Sequence, residues 1–365
     1  MSAEPGHGLA VLALNTGSSS LKALLRDGAH RDGGGHALRA EAERLGDPAG
    51  LLRVDGEERP FTGDARTAVR AVAAAVARRG RAPDAVAHRI VHGGAKHLDH
   101  AVIDEGLLAD LRAAVPLAPL HLPAALEVVE EARAVWPEAQ HVACFDTAFF
   151  RGLPEYAVRL PVAAELAALG VRRYGFHGLS VSSALRRLPR PMNTVVAHLG
   201  SGCSVAAVDA ELRPLHSSMS MTPTAGMISG TRSGDLDPEV PLYLLEHGGY
   251  SGEELRLLFN RSSGLAGIAN GRHDLRDLLA ADDHDAALAV EMFVHSAAMA
   301  IAAAATMLAR WDRLVFTGGI GEHDTTTRDR IVERLHLTPP TTVQVVAADE
   351  EGEMDRIARA LLGAR

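Results

Sequence analysis

Leu9-Ala-Val-Leu-Ala-Leu14 runs into Asn15-Thr16-Gly17-Ser18-Ser19-Ser20, and Leu21-Lys-Ala-Leu-Leu25 follows before Arg26-Asp27-Gly28. An apolar run, a turn of small polar residues and a second apolar run read as the two strands of a hairpin. The pattern recurs far downstream. Thr194-Val-Val-Ala-His-Leu199 leads into Gly200-Ser-Gly-Cys-Ser204, and Val205-Ala-Ala-Val208 returns to Asp209. Gly17 and Gly200 are 183 positions apart, half the chain, and Asn15 and His198 each stand two residues before their glycine. Two such hairpins, one per half, predict a duplicated α/β architecture with a cleft between the halves.

Working outward, residues 65–79 read as an Ala/Val-rich helix and 85–91 as a strand running into His92-Gly93-Gly94. Pro123 opens a helix to 135, with Leu126 and Val129 on its apolar face, and 141–145 is a strand ending on Asp146. Residues 152–161 read as the crossing between domains. Residues 285–310 read as one long helix, and 314–317 as a strand into Gly318-Gly-Ile-Gly321. A helix over 326–335 starts at Thr326 with Asp329 three residues on. A last helix covers 354–362.

Composition narrows the class. The 365 residues suffice for about two domains. A net charge of −9 supplies no field to hold nucleic acid or anionic lipid. The longest apolar stretch, 297–309, is too short to span a bilayer, and Met1-Ser-Ala-Glu-Pro5 has no basic segment of a signal peptide. Cys144 and Cys203 form neither a disulfide framework nor a zinc site. A soluble, cytoplasmic globular protein is expected. Gly-Lys-[Ser/Thr], G-x-G-x-x-G, G-x-S-x-G and H-E-x-x-H are all absent, which removes the usual P-loop and Rossmann routes to nucleotides.

Several groups could carry chemistry. Gly17–Ser20 with Lys22 offers backbone N–H groups, hydroxyls and an ammonium to a phosphate chain, although the same residues make a plain turn. Together with 200–204 and 318–321, three glycine turns at strand ends suit a nucleotide in an open α/β cleft. Lysine survives only at Lys22 and Lys96 in an arginine-rich chain, which marks Lys22 as a position for a compact ammonium. Arg89 and Arg232 lie among glycines, where a guanidinium can clamp a carboxylate or phosphoryl group; for any single arginine a solvated surface charge is the default. His88, His92, His97 and His100 read as structural, because no carboxylate pattern accompanies them. His177 is exposed by a glycine on either side. Asp146 ends a buried strand, as a helix cap or as a functional charge.

These residues resemble the acetate kinase family, within the actin and heat-shock ATPase superfamily. The matching blocks are Asn15-Thr-Gly-Ser-Ser-Ser-Leu-Lys22, His88-Arg-Ile-Val-His-Gly-Gly94, Pro116-Leu-Ala-Pro-Leu-His-Leu-Pro123, Phe145-Asp-Thr-Ala-Phe149 and Tyr174-Gly-Phe-His-Gly178. His198-Leu-Gly-Ser-Gly202, Gly230-Thr-Arg-Ser-Gly-Asp-Leu-Asp-Pro238, Asp274-Leu-Arg276 and Thr317-Gly-Gly-Ile-Gly-Glu322 complete them. The resemblance implies two duplicated ribonuclease H-like, actin-like ATPase domains. These are residues 1–150, with the C-terminal helix 352–365 packing back, and a nucleotide-binding domain of residues 151–351. It implies reversible transfer of the ATP γ-phosphoryl group to acetate, giving acetyl phosphate and ADP, with Mg²⁺ or Mn²⁺, in a homodimer. By the same resemblance Asn15 and Glu350 hold the metal and Lys22 contacts nucleotide phosphate. Arg89 takes the substrate carboxylate, and Val91, Leu120, Phe176 and Pro223 form the methyl pocket. Asp146 matches the acid/base position, and His177 and Arg232 the transition-state stabilisers. The nucleotide segments are His198, Leu199, Gly200, Ser201 and Gly202; Asp274, Leu275 and Arg276; and Gly319, Ile320, Gly321, Glu322 and His323.

A carboxylate substrate with a pKa near 4.3 is ionised at neutral pH, so Asp146 is expected to orient Arg89 or hold water and metal rather than remove a proton. The chain departs from the family pattern at Ser201 and His323, where asparagines are usual, which bears on the nucleotide. Leu122 and Val181 replace an asparagine and a histidine and add apolar surface near the pocket blocks, which bears on acyl chain length. Ala225 replaces a glutamate, and the segment from Gly321 to Glu350 is short. The alternatives are propionate or butyrate as acceptor, and a nucleotide-binding switch without an acyl acceptor.

Overall fold

The computed structural model describes residues 8–17, 19–28, 38–336 and 339–363; Ser18, in the first glycine turn, lies outside them. The chain forms two compact units, residues 1–148 with 349–365 and residues 149–348, so the division falls ahead of the 152–161 stretch.

The first unit is built on eight strands: β1 (Val11–Thr16), β2 (Ser20–Arg26), β3 (Leu38–Glu43), β4 (Leu51–Val54), β5 (Glu57–Pro60), β6 (Ala85–Ile90), β7 (Ala101–Val102) and β8 (Gln140–Phe145). Their order is β5-β4-β3-β2-β1-β6-β8-β7. β1 to β5 pair as an antiparallel meander, while β6 runs parallel to β1 and β8 parallel to β6. All six residues of β1 are buried, as an unbroken apolar run requires of a strand covered on both faces. Leu12 and Leu14 join a core with Val69, Val72 and Val76 of helix Ala65–Arg78 and Val128 and Ala132 of helix Leu122–Val135. The first of these helices is capped by Asp64, which accepts from the Thr67 N–H, and buries positions three and four apart. Helix Glu350–Leu361 packs on β1, β2, β6 and β8.

The second unit repeats the central pattern. β9 (Thr194–Leu199), β10 (Cys203–Val208) and β11 (Pro214–Ser217) form the meander, and β12 (Arg313–Thr317) and β13 (Thr342–Val345) extend it in parallel, in the order β11-β10-β9-β12-β13. Strand for strand this matches β3-β2-β1-β6-β8. The hairpins differ at the tip. Thr16 pairs with Leu21 in the first and Leu199 with Cys203 in the second, so the second turn is one residue tighter.

Helix His284–Ala305 is the core helix of this unit. Long and apolar enough by length and composition to cross a membrane, it packs Ala289, Val290, Phe293, Val294, Ala297 and Ile301 into the core with Val195, Val205 and Phe316. It stops at Ala305 rather than near 310: the N–H groups of Thr306, Met307 and Leu308 turn back on Ala302 O, Ala304 O and Ala305 O, and those of Asp312 and Arg313 reach Asn193 O where β12 starts beside β9. Residues 318–321 are not a turn but the opening of a short helix, Gly318–His323. The next helix, Thr325–Arg334, is capped by Asp324, not by Thr326, since the Asp324 carboxylate accepts from the Thr327 N–H.

The four clustered histidines are tied into the first unit separately. His92 Nδ1 accepts from Gly94 N–H, His97 pairs with Asp110, and His100 Nδ1 accepts from Phe145 N–H. His88 stacks on His141 with its Nε2 2.9 Å from the partner's Nδ1. Burial, and then His141, hold His88 well below the ordinary histidine range. Burial likewise lowers His141, and burial with Arg173 lowers His216 of β11 to about 4. Unfolding restores an ordinary pKa near 6.5, so the unfolded chain takes up these protons first. The stability that these neutral histidines contribute is therefore fully present above about pH 6.5 and is lost as pH falls below it, for His216 down to about 4. Melting temperatures measured from pH 7.5 to 4.5 will show the decline, and His216→Gln will make it shallower; a melting temperature independent of pH over that window would refute the assignment.

Candidate active site

In the first unit the site forms where three strands end together. Arg89 lies in β6 opposite Cys144 of β8, and Asp146 follows β8 with its N–H on Ile90 O, so both strand ends are tied. Arg89 donates to Asp146 from Nε, 3.2 Å to Oδ1 and 3.1 Å to Oδ2, and from Nη2, 2.7 Å to Oδ2. Its Nη1 donates to Asn15 Oδ1 of β1 at 3.1 Å and lies 3.7 Å from Glu350. Burial works against the Arg89 cation, but Asp146 and Glu350 outweigh it and hold its pKa above the ordinary value. Burial raises the Asp146 carboxyl, against the pull of Arg89. Asp146 is thus no helix cap: its carboxylate grips a guanidinium.

Asn15 Nδ2 donates to Glu350 Oε2 at 2.8 Å and to Glu351 Oε1 at 2.6 Å. Both glutamates open helix Glu350–Leu361, whose cap Asp349 accepts from Gly352 N–H. Burial raises the Glu351 pKa and the charge of Glu350 adds to it, while Asn15 and Lys22 pull the other way. Two carboxylates crowded onto one amide form a hard-oxygen donor set that a divalent cation would relieve. Mg²⁺ needs only one or two protein carboxylates, with phosphate and water completing its shell, and these residues fit it. Among the described residues no group of three or more His, Cys, Asp or Glu forms a self-contained metal site. Lys22 pairs with Asn15 across the hairpin, but its half-exposed ammonium is 3.5 Å from Glu41. Val91 is buried just beyond β6, and Leu120 is part-buried.

The second unit gathers the other set around the tight β9–β10 turn. His177 caps helix Gly178–Arg186 with a left-handed backbone, φ +58°. That conformation is costly for a residue with a Cβ and is retained where surroundings enforce it. Its ring lies 4.4 Å from that of His198. A Cβ added at Gly202 would lie 2.8 Å from Arg232 Nη1 and 3.4 Å from His177 Cε1 and Nε2. The guanidinium and the imidazole therefore press on one backbone point that only glycine leaves open. Arg232 Nη1 also donates to Pro223 O at 3.3 Å. The turn reaches Gly319, whose N is 3.7 Å from a Cβ built on Gly200, and Gly318 has φ +78° beneath Leu199 O. His177, His198, Gly200, Gly202, Pro223, Arg232 and Gly319 are thus one neighbourhood, and Ser201 O lies 3.6 Å from a Cβ built on Gly230.

Other expected nucleotide residues stand differently. Glu322 accepts from the N–H groups of Gly318 and Ala348, a structural clasp within its unit. Asp274 caps helix Leu275–Ala280 and pairs with the exposed Arg276. Leu199, Gly321 and Phe176 are buried, Ile320 is part-buried and His323 is exposed. Val181 is 1% exposed in a core with Phe150, Ala184, Val196 and Val315, so it fills the interior rather than reshaping a pocket. Leu122 is fully buried at the start of its helix. Three residues escaped the sequence reading: Glu351, Ser180 and Ser204. The run Asp349-Glu350-Glu351 carried a signal for the first; the serines carried none, since serine is ordinary in helices and turns.

The model of the acetokinase family matches residues 10–352. Acetate kinase of Streptomyces coelicolor is 38% identical over 348 residues, covering 89% of this chain and 84% of its own length. Acetate kinase of Deinococcus deserti is 42% identical over 345 residues, covering 89% and 85%. Among solved structures, a propionate kinase from Francisella tularensis superposes with a TM-score of 0.88 at 29% identity, covering 96% of this chain and 98% of that one. Porphyromonas gingivalis acetate kinase gives 0.83 at 31%, covering 97% and 100%. With the duplicated sheets beside them, these matches lead to the conclusion that this chain belongs to the acetokinase family.

Proposed function

We propose that the chain is an acetate kinase, transferring the γ-phosphoryl group of ATP reversibly to acetate to give acetyl phosphate and ADP, with Mg²⁺. The observation that carries this reading is the guanidinium of Arg89, largely buried with its side chain 17% exposed and locked by Asp146 and Asn15. A permanently charged, pre-oriented fork suits a small carboxylate. The family resemblance assigns the apolar surroundings of its methyl group to Val91, Leu120, Phe176 and Pro223. Asn15 and Glu350, with Glu351 adjoining, would hold the metal, which supplies charge neutralisation at the phosphates.

Phosphoryl transfer calls for positioning and charge stabilisation rather than covalent help. Arg232 neutralises charge on the transferring group, and His177 donates to its oxygens. The nucleotide takes the turn Gly200-Ser201-Gly202 with His198 and the start of helix Gly318–His323, while Lys22 and the Asp274–Arg276 segment contribute peripherally. Asp146 holds Arg89 and removes no proton.

A second reading, propionate as acceptor, is favoured by the similarity to the Francisella propionate kinase. One methylene in an apolar pocket changes specificity by only about 10–200-fold. Phosphoryl transfer from Mg-ATP to acetate, propionate and butyrate, with the acyl phosphate trapped by hydroxylamine, decides between them. The best kcat/KM is expected for acetate. Preference for a longer acid would replace the substrate, and tight ATP binding without any acyl phosphate would replace the enzyme with a nucleotide-binding switch.

Arg232→Ala is expected to lower kcat on the order of 10³. Asp146→Asn is expected to lose activity without gaining an acid limb in its pH–rate profile. A loss below tenfold for the first, or a steep recovery at high pH for the second, would overturn the respective role.

A homodimer is inferred from helix Glu239–His247, which has no buried residue and presents Leu242, Tyr243 and Leu245 at 44–64% exposure, with Leu257 and Leu258 exposed on the next helix. An apolar face of this kind on a soluble enzyme is a partner surface, here a second copy. Sedimentation velocity will show a dimer that Leu242→Asp with Tyr243→Asp converts to monomer; a monomeric native protein would end the inference.

A further inference from the structure

Ser180 and Ser204 have entered no role so far, yet each offers its hydroxyl to one of two histidines, His177 and His198, whose rings lie tilted against each other. Ser204 Oγ lies 2.9 Å from His177 Nδ1, and Ser180 Oγ lies 2.7 Å from His198 Nδ1. The pairing is crossed. Ser204 faces His198 across the β9–β10 ladder but serves His177, while Ser180, in the first turn of the helix that His177 caps, serves His198. Ser204 is 2% exposed and Ser180 fully buried.

A hydroxyl has one hydrogen and two lone pairs. Were Nδ1 the donor, each serine hydrogen would be enclosed without an acceptor, because neither hydroxyl makes another hydrogen bond among the described residues. A buried unsatisfied donor is the arrangement proteins avoid. With the hydroxyl donating, only lone pairs go unmatched. Nδ1 then accepts, and in the neutral imidazole the proton resides on Nε2. His177 Nε2 borders the same point of Gly202 as the Arg232 guanidinium. A second positive charge there, beside the guanidinium, would be repelled; an uncharged N–H donor is not.

We propose that Ser204 and Ser180 are positioning residues that fix His177 and His198 in the Nε2–H form, so that uncharged rings present N–H donors to phosphate oxygens. This rests on the catalytic reading of His177 given above. The test separates the two. In protein labelled with ¹⁵N-histidine, long-range ¹H–¹⁵N correlation spectra at pH 7.5 will show His177 with a bare Nδ1 and a protonated Nε2, the signals being identified by their loss in His177→Gln. Ser204→Ala will give a mixture of tautomers, with kcat lowered roughly tenfold, the worth of one hydrogen bond. KM for acetate and for ATP will stay unchanged, and Ser204→Thr, which restores the hydroxyl, will restore kcat.

A protonated Nδ1 in the native protein, or native kcat in Ser204→Ala, overturns the proposal. Should Ser204→Ala fail to fold, the native spectrum and the corresponding Ser180→Ala spectrum at His198 decide. Full kcat in His177→Gln would instead remove His177 from the reaction and with it the phosphate-facing role of its ring, whereas the wrong tautomer alongside an inactive His177→Gln overturns the tautomer assignment alone.

Discussion

A guanidinium largely withdrawn from water that cannot lose its proton sets the terms for the first unit. Arginine has no neutral form to retreat to, so Arg89 must be matched by charge and hydrogen bonds where it stands. Its partners come from three places far apart in the chain: Asp146 after β8, Asn15 in β1 and Glu350 at the head of a helix. Stripping one partner from a buried pair typically costs about 3–5 kcal/mol, because the other is left uncompensated. The ion pair therefore holds strand ends and helix in one arrangement, which the proposed small-acid site and the proposed metal donors share.

The second unit uses the same sheet for a different purpose. Both central hairpins place a polar side chain two residues before a glycine, but one carries Asn15 and the other His198. The tighter second turn brings Ser204 opposite His198, where the first hairpin brings Lys22 opposite Asn15. Gly202 marks how close the second set is, since no side chain fits between its backbone and Arg232.

Much of this was legible in the residues. The two hairpins, the repeat between halves and the strand-end positions of Arg89, Asp146 and His198 all follow from apolar periodicity broken by small polar turns. What escaped depends on contacts that periodicity does not encode. The helix at 284–305 ends early in tight turns over Thr306, Met307 and Leu308, and a few residues on Asp312 and Arg313 bond Asn193, more than a hundred residues away. Gly318-Gly-Ile-Gly321 looked like a loop, yet a left-handed glycine under Leu199 O lets a helix begin at once. Val181 looked like a pocket residue because its neighbours in sequence are, but the helical turn aims it at Phe150 and Val196. Ser180 and Ser204 were silent because a hydroxyl acquires meaning only from the ring beside it.

The helix Glu350–Leu361 belongs to the first unit, although the whole second unit intervenes in the chain. During synthesis at about 5–20 residues per second, the 200 residues from 149 to 348 occupy some 10–40 s. Throughout that interval β1 and β2 lack the helix that packs on them, and Asn15 lacks both glutamates. The nascent first unit is thus an unfinished body on the ribosome, with part of an apolar sheet uncovered and its arginine short of one counter-charge. The second unit, continuous in sequence, has no such wait and can close first, reversing the order in which the two halves are made.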